Sequence, residues 1–294
     1  MRPEGRGGIR GVMPGALTIV PTPIGDPADG SLRAREVLAR ADLVAAEDTR
    51  VAARLLEAWG LPPRPMWSTH DHNEEARAAE IVRRIQEGAQ VALVSDAGTP
   101  LVSDPGYRVV RAAVDAGVPV VVLPGPCAAV TALVGSALPP DRFLFLGFLP
   151  RDAGPRDAVL DARRFEEATL VLYEAPHRVV ETLRAVRRVL GARRVTVARS
   201  LTKVWEEWLR GDGDEVAERL AAEGEVRGEF TVVVEGFRGP PGTADAARVE
   251  ALVEALVDAG VPLGTVRDVV AGVYALPRRD VYQRALRHRD RERT

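Results

Sequence analysis

The sequence predicts an α/β protein of two successive domains with a small helical C-terminal extension. Three observations predict it. Short apolar runs alternate with helical patterns from Ala16 to Glu235, as strands packed against helices require. A length of 294 residues is more than one typical domain needs. After Gly236 the strand-like runs stop and only helical spacing remains.

The first domain is expected over residues 16–140. The leader at 1–15 is rich in Gly and Arg and has no apolar stretch, so it reads as disordered rather than as a signal peptide. Ala16–Val20 is the first strand, closed by Pro21-Thr-Pro23. Ser31 caps a helix running to about Arg40. Leu43–Ala46 is a strand, and Thr49–Trp59 a helix closed by Gly60. A short strand at Pro65–Thr69 precedes the amphipathic segment Glu74–Glu87, which stops at Gly88. Val91–Val94 is a buried strand. Asp104 and Pro105 are expected as N-cap and first residue of a helix reaching Gly117. Strand Val120–Leu123 and helix Cys127–Ser136 complete the domain.

Leu138-Pro-Pro-Asp-Arg142 marks the boundary to a second domain at 141–237. Its expected elements are strand Phe143–Leu146, a polar arm around Arg151–Arg156, strand Thr169–Tyr173 and helix Pro176–Leu190. Strands Arg194–Arg199 and Val204–Leu209, helix Asp214–Ala222 and strand Glu229–Glu235 follow. Gly239-Pro-Pro-Gly242 is a linker. Residues 244–294 read as three helices whose core draws on Leu252, Leu256, Val261, Leu263 and Val266, and Tyr282 and Leu286 lie four apart on the last.

Composition excludes several classes. Hydrophobic residues at 46% and charged residues at 28% are an ordinary globular balance. Cys127 is the only cysteine, so no internal disulfide forms and nothing argues for secretion. Residues 118–140 are the most apolar stretch, but Pro119, Pro124, Pro126, Pro139 and Pro140 break it into strand, turn and helix. It is core rather than a membrane span. A net charge of −2 rules out a general polycation, so any nucleic-acid contact must come from a local patch or a preassembled partner surface. Lys203 is the only lysine among 40 basic residues, which a compositional bias alone explains.

No P-loop, no G-x-G-x-x-G after the first strand, no G-x-S-x-G elbow and no cysteine cluster occurs. His70-Asp-His72 has no obvious third ligand and reads as polar surface or substrate contact, so no metal is expected. Instead, Gly-Pro turns end the strands: Val20–Gly25, Ser95–Pro100, Ser103–Gly106 and Leu123–Cys127. Glycine lets a backbone approach a ligand, and ligands of open α/β sheets sit at the carboxyl ends of strands. The turns are then either a cradle of main-chain groups or simply tight connections. Ala46-Glu-Asp-Thr-Arg50 places three charges after a buried strand, either as proton acceptors with an anion-holding arginine or as acids capping a helix. Ser68–Glu74, Tyr173–Arg178 and Ser200–Lys203 are further polar clusters at strand ends.

The order of these motifs carries more than any one of them. VPTPIGD, AAEDTR, HDHNE, VALVSDAGTPLVSDPGYR, VVLPGPCAAVTAL, DRFLFLGFLPR, ATLVLYEAPHR, RSLTK and GEFTVVVEG run in sequence from Ala16 to Gly236. Together they resemble the bacterial 16S ribosomal RNA cytidine 2′-O-ribose methyltransferase family, within the tetrapyrrole methylase superfamily. The tail through Arg279-Asp-Val-Tyr282 resembles that family's C-terminal extension. The resemblance implies the two-domain tetrapyrrole-methylase fold, a cytoplasmic homodimer, and S-adenosylmethionine held in the cleft between domains. It implies 16S ribosomal RNA within the small ribosomal subunit as substrate, and no membrane.

Carried over motif by motif, the resemblance assigns cofactor contacts to Pro21, Thr22, Asp96, Ala97, Gly98, Thr99, Ser103 and Asp104. From the second domain it adds Tyr173, Glu174, Leu201, Gly228, Glu229 and Phe230. The substrate side would be lined by Arg50, His70 and Asn73, together with Glu47, Asp48 and Lys203 as catalytic candidates. A ribose 2′-hydroxyl is a poor nucleophile until its proton leaves, so Glu47 or Asp48 is expected as base, with Lys203 steering the alkoxide or a phosphate. A surface lysine beside Glu206 and Glu207 is the plain alternative for Lys203. The chain departs from the family at Asp26–Asp29, at Asp71 and at Ser200, where glutamate is usual. A tetrapyrrole C-methyltransferase on the same fold is the competing reading, since fold does not fix substrate.

Overall fold

A computed structural model describes residues 15–70, 73–238, 243–274 and 276–291. Residues 1–14 of the expected leader, the Gly239–Gly242 linker, Asp71 and His72 lie outside the described residues.

The first sheet is built from β1 (Ala16–Ile19), β2 (Leu43–Ala46), β3 (Met66–Ser68), β4 (Gln90–Val94) and β5 (Val120–Val122). All its pairings are parallel, in the order β3-β2-β4-β1-β5. Parallel neighbours need long crossovers, supplied here by α1 (Leu32–Arg40), α2 (Thr49–Ala58), α3 (Glu74–Gln86) and α4 (Tyr107–Asp115). Each face is buried. Leu17, Ile19, Leu43 and Leu93 meet Ile81, Ile85 and Val109 on one side. On the other, Val20, Val44, Ala46 and Val94 meet Leu38 and Leu56. Burial on both faces is why these strands read as continuous apolar runs.

The second sheet holds β6 (Phe143–Phe148), β7 (Thr169–Glu174), β8 (Val195–Arg199), β9 (Glu207–Gly211) and β10 (Phe230–Val234), in the order β6-β7-β10-β8-β9. Only β6 and β7 run parallel; the other neighbours are antiparallel. Helices α6 (Ala153–Asp161), α7 (Val179–Leu190) and α8 (Gly213–Ala221) cover one face through Leu160, Leu183, Val186 and Leu220. The opposite face takes α5 (Ala128–Gly135) from the first half: Ala129, Ala132 and Leu133 pack on Val171, Ala198 and Val233. Ile24 and Leu201 join this cluster, so one core fixes the loop after β1 against the loop after β8.

The tail forms α9 (Thr243–Asp258), α10 (Leu263–Tyr274) and α11 (Arg278–Arg291). Its core is its own: Val249, Val253, Val266, Val270, Ala271, Val281 and Ala285, with Leu252, Leu256, Val261 and Leu263 packed against it. Arg248 ties the tail to the body by donating to the Phe165 carbonyl at 3.2 Å. Among the described residues no helix is long and apolar enough to cross a membrane.

Some expectations are corrected. The α4 helix begins at Tyr107 with Gly106 as N-cap at φ 126°, not at Asp104. The buried Glu74 carboxylate, at the start of α3, accepts from the Gly106 and Arg108 amides at 3.0 and 2.6 Å. A distant acid thus does the capping, and Asp104 is left to face the cleft. The polar arm is largely helix: α6 carries Gly154 and Pro155 in its first turn, where a missing amide proton costs nothing. Helix α7 starts at Val179 rather than Pro176. Strand β9 starts at Glu207 rather than Val204, because Lys203 and Glu206 amides close turns onto the Ser200 and Lys203 carbonyls.

Candidate functional site

A cavity of about 350 Å³ lies where the carboxyl ends of the first sheet face the second. The β4 loop contributes Ala97, Gly98 and Thr99, and the segment beyond it Ser103 and Asp104. Across the gap stand Tyr173 and Glu174 at the end of β7, Leu201 after β8, and Gly228, Glu229 and Phe230 at the start of β10. Strands β4 and β1 lie at the point where the strand order turns back, the place where open α/β sheets hold ligands.

Backbone conformation makes this space. Gly98 sits at φ 84°, and a Cβ there would stand 3.2 Å from Ile24 Cγ2. Gly228 sits at φ 112°, and its Cβ would meet Ser200 Oγ at 2.6 Å. Ser103, Ser200 and Thr202 adopt positive φ without being glycine, at 68°, 52° and 61°. Such strain persists only where neighbours over-determine it. Thr202 is held by the Asp26 amide, which donates to its hydroxyl at 3.0 Å, and its own amide donates to Glu206 at 2.6 Å.

Three of the residues assigned to cofactor contact do not line the cavity. Thr22 is buried and exchanges backbone hydrogen bonds with Gly98 at 2.9 and 3.1 Å, while its hydroxyl donates to the Ser95 carbonyl at 3.2 Å. Its work is to set the β4 loop. Pro21 packs against Gly125, where a Cβ would collide with the proline ring. The Asp96 carboxylate accepts the Asp48 amide at 3.0 Å, so it joins the substrate-side loop. Conversely, Ile24, Val102, Cys127, Ala128, Phe148 and Ala198 line the cavity without having been assigned. Ile24 and Cys127 belong to Gly-Pro turns singled out above; Val102 lies in the bend between β4 and α4, and Ala128, Phe148 and Ala198 are apolar residues of helices and strands that carry no local signal.

The side chains divide by chemistry. Burial pushes the Asp104 carboxyl up to about 6, opposed by a hydrogen bond from Ser95 that favours the ionised form and reinforced by the nearby Asp96 charge. Tyr173 is likewise pushed upward by burial; its Oη accepts the Ala129 amide at 3.1 Å, and Phe145 and Phe148 meet its ring edge-on at 4.9 and 5.7 Å. Glu174 lines the cavity, yet its carboxylate is turned into the second half. It takes Arg178 at 3.1 Å, the Thr182 hydroxyl at 2.7 Å and the Ala175 amide at 2.8 Å.

On the first half's rim, Asp48 is the N-cap of α2 and accepts the Arg50 amide at 2.8 Å. The Arg50 guanidinium grips the same carboxylate at 3.0 and 2.6 Å and holds it well below the usual carboxylate range. Asn73 accepts the His70 amide at 2.9 Å and donates to the Ser68 carbonyl at 3.0 Å. Ser68 in turn donates to the Glu47 carbonyl at 3.3 Å, so the Glu47–Arg50 and His70–Asn73 segments form one surface. Lys203 does not pair with Glu206 or Glu207. Its Nζ lies 2.6 Å from Glu229, while Glu206 accepts Trp208 Nε1 at 2.8 Å and Glu207 meets Arg199 at 3.3 Å. Among the described residues no group of three His, Cys, Asp or Glu could hold a metal.

Comparison with known proteins gives this arrangement a lineage. The family model for tetrapyrrole (corrin/porphyrin) methylases matches residues 16–217, from β1 into α8. Ribosomal RNA small subunit methyltransferase I of Micromonospora olivasterospora is 50% identical over 92% of this chain and 86% of its own. The protein of the same name from Escherichia coli O157:H7 is 45% identical over 92% of this chain and 95% of its own. Among solved structures, a uroporphyrin-III C-methyl transferase from Thermus thermophilus complexed with S-adenosyl homocysteine superposes with a TM-score of 0.51. It covers 74% of this chain and 96% of its own at 21% identity. The fold, its helical extension and this identity across nearly the whole length agree: the chain belongs to the tetrapyrrole methylase family, alongside the small-subunit ribosomal RNA methyltransferases.

Proposed function

We propose that this protein is an S-adenosylmethionine-dependent methyltransferase that methylates the 2′-hydroxyl of a cytidine ribose in 16S ribosomal RNA. The observation that carries the reading is the interdomain cavity ringed by Ala97–Thr99 and Gly228–Phe230, in a chain half identical to a ribosomal RNA methyltransferase. We take the domains as residues 16–140 and 141–237, with 244–294 as the extension. The substrate is the small ribosomal subunit, and the protein works in the cytoplasm.

The cavity's residues fit the cofactor. Ile24, Leu201 and Phe230 offer apolar walls for an adenosine, glycines 98 and 228 leave backbone exposed to it, and Asp104 offers a carboxylate to a cation. When bound, S-adenosylmethionine supplies a methyl group already activated as a sulfonium. The protein's part is alignment, exclusion of water and removal of a proton. Asp48 is committed to Arg50 and to the α2 terminus, and we assign removal of the ribose proton to Glu47, beside it at the carboxyl end of β2. Lys203, held by Glu229 at the opposite rim, can balance charge on the oxygen or on a flanking phosphate. Arg50, 85% exposed at its side chain, faces outward with His70 and Asn73 toward an RNA backbone.

We also propose a homodimer. Val122 on β5, Phe143 on β6, and Val130 and Val134 on α5 are apolar side chains left 45–75% exposed on the body, material for such an interface. Light scattering on a chain ending near Arg238 should still give a dimer's mass.

Tetrapyrrole C-methylation is the second reading, and the structural neighbour shares its fold. It fits less well: a small macrocycle needs neither the Glu47–Asn73 rim nor the helical tail. Nucleoside analysis of ribosomal RNA after incubation with the protein and cofactor tests the choice. 2′-O-methylcytidine should accumulate in 16S RNA, and its absence would refute the reading.

A further inference from the structure

Val204 and Trp205 are 91% and 81% exposed, the largest exposures of any big apolar side chains among the described residues. They follow Lys203 directly, on the turn between β8 and β9. That turn is rigidly built. Leu201 is 6% exposed and lines the cavity, Thr202 is pinned from the first half by the Asp26 amide, and Lys203 is tied to Glu229 at 2.6 Å. A Cβ at Gly25 would lie 2.8 Å from Lys203 Cγ, so the lysine stem rests on the first half's loop. Glu206 anchors the far side through Trp208 Nε1 at 2.8 Å and the Thr202 amide at 2.6 Å. The fold thus holds an indole in water on the turn that leads out from the cavity-lining Leu201, at a cost in apolar exposure that its own packing does not offset.

We propose that Trp205 is a stacking platform for an unpaired base of the RNA substrate, with Val204 as the shoulder beside it. The proposal rests on the RNA-methylation reading given above. The surroundings favour a base over a phosphate or a protein. Lys203 is matched by Glu229 and Arg199 by Glu207, so no surplus of positive charge at the indole itself selects a phosphate, whereas an uncharged π-face stacks regardless. Two side chains expose on the order of 300 Å², far below the ~800 Å² per partner that a stable protein interface buries. A ribose 2′-hydroxyl reaches an interdomain cavity only when its nucleotide leaves helical stacking, so the nucleotide or its neighbour needs a new stacking partner. An exposed aromatic ring four residues beyond the cavity-lining Leu201 supplies it.

The test is steady-state methylation of small ribosomal subunits by full-length wild type, Trp205→Ala, Trp205→Phe and Val204→Ala. Calorimetric cofactor affinity and light-scattering mass are measured on each. Trp205→Ala should raise KM for the subunit about tenfold, within the range of one base–aromatic stack. Its kcat should move less than threefold, as for an interaction made equally in ground and transition states. Trp205→Phe should recover most of the loss, and cofactor affinity and mass should be unchanged throughout. Equal KM for wild type and Trp205→Ala, or a fall in mass on losing the indole, would overturn the platform while leaving RNA methylation standing. Wild type that fails to methylate the subunit at all would overturn both, and the wild-type arm alone reveals that case.

Discussion

The backbone amide of Asp48 donates to the Asp96 carboxylate at 3.0 Å, so the loop after β2 and the loop after β4 share a hydrogen bond. One loop also borders the cavity and the other presents Arg50. Burial raises the Asp96 carboxyl above its ordinary value, while Arg50 lowers that of Asp48. Two adjacent acids are therefore pushed apart, and neither is free to serve as a simple base: Asp48 is gripped by arginine, Asp96 by a backbone amide.

Glu47 and Asp48 should separate on mutation. Asp48→Asn keeps a good N-cap acceptor, so the helix terminus should lose only a few tenths of a kcal/mol and turnover should fall less than about tenfold. Glu47→Gln should lower kcat by roughly 10²-fold or more, the usual worth of a general base. Single-turnover methylation of small subunits measures both. A larger kcat loss for Asp48→Asn than for Glu47→Gln would reverse the assignment.

Asp104 makes the cavity pH-sensitive. Its carboxyl stands at about 6 in the folded chain, above the ~3.9 of an unfolded aspartate. The folded state therefore binds this proton more tightly. The stability it contributes is full below pH ~4 and is lost as pH rises through about 6. Asp104→Asn should flatten that part of a melting-temperature profile of the cofactor-free protein. Cofactor affinity should run the other way, weakening as pH falls through about 6, because a cation prefers the ionised carboxylate. Calorimetry at pH 5, 6, 7 and 8 checks it; a flat wild-type profile would exclude Asp104 from the contact.

Gly98 should not tolerate a side chain. At φ 84° a branched residue is strained by ~1–2 kcal/mol, and its Cβ would press on Ile24 at the cavity wall. Gly98→Val should fold but bind cofactor at least about tenfold more weakly. Unchanged affinity in a folded variant would move the binding site elsewhere.

Much of this was legible in the residues, and the failures share a cause. Apolar runs such as Val91–Val94 announce strands because both faces of the first sheet are buried. Ser31 reads as a cap because its partner, the Ala34 amide, is three residues away. The start of α4 was misread because its cap, Glu74, lies over thirty residues upstream. The Arg151–Arg156 segment reads as a polar arm because the place of Gly154 and Pro155 in a helix's first turn is invisible until the helix is seen. Thr22 and Asp96 sit in cofactor-like motifs, and each makes a hydrogen bond to another loop that no local spacing announces. Trp205 gave no signal at all, since exposure is not written in local sequence.

The tail should serve the ribosomal substrate and not the cofactor. It has its own core, and the basic run Arg278, Arg279, Arg284, Arg287 and Arg289 is partly neutralised: Arg284 pairs with Glu250 at 3.0 Å and Arg278 with Asp268 at 3.4 Å. Arg289 pairs with Asp290, and Arg279, Arg287 and Arg291 of α11 remain for phosphate contacts, which implies a modest salt dependence, a slope of about −3 at most if all three engage. Deleting residues 244–294 should weaken subunit methylation while leaving cofactor affinity within about twofold. Equal loss of both would make the tail a structural element only.

Substrate identity is decided by presenting purified protein and labelled S-adenosylmethionine with small ribosomal subunits, naked 16S RNA and uroporphyrinogen in parallel. Label should enter the subunit's RNA fastest, on the 2′-oxygen of a cytidine, with none in the macrocycle. Label in uroporphyrinogen and none in RNA would contradict the assignment of this chain to ribose methylation.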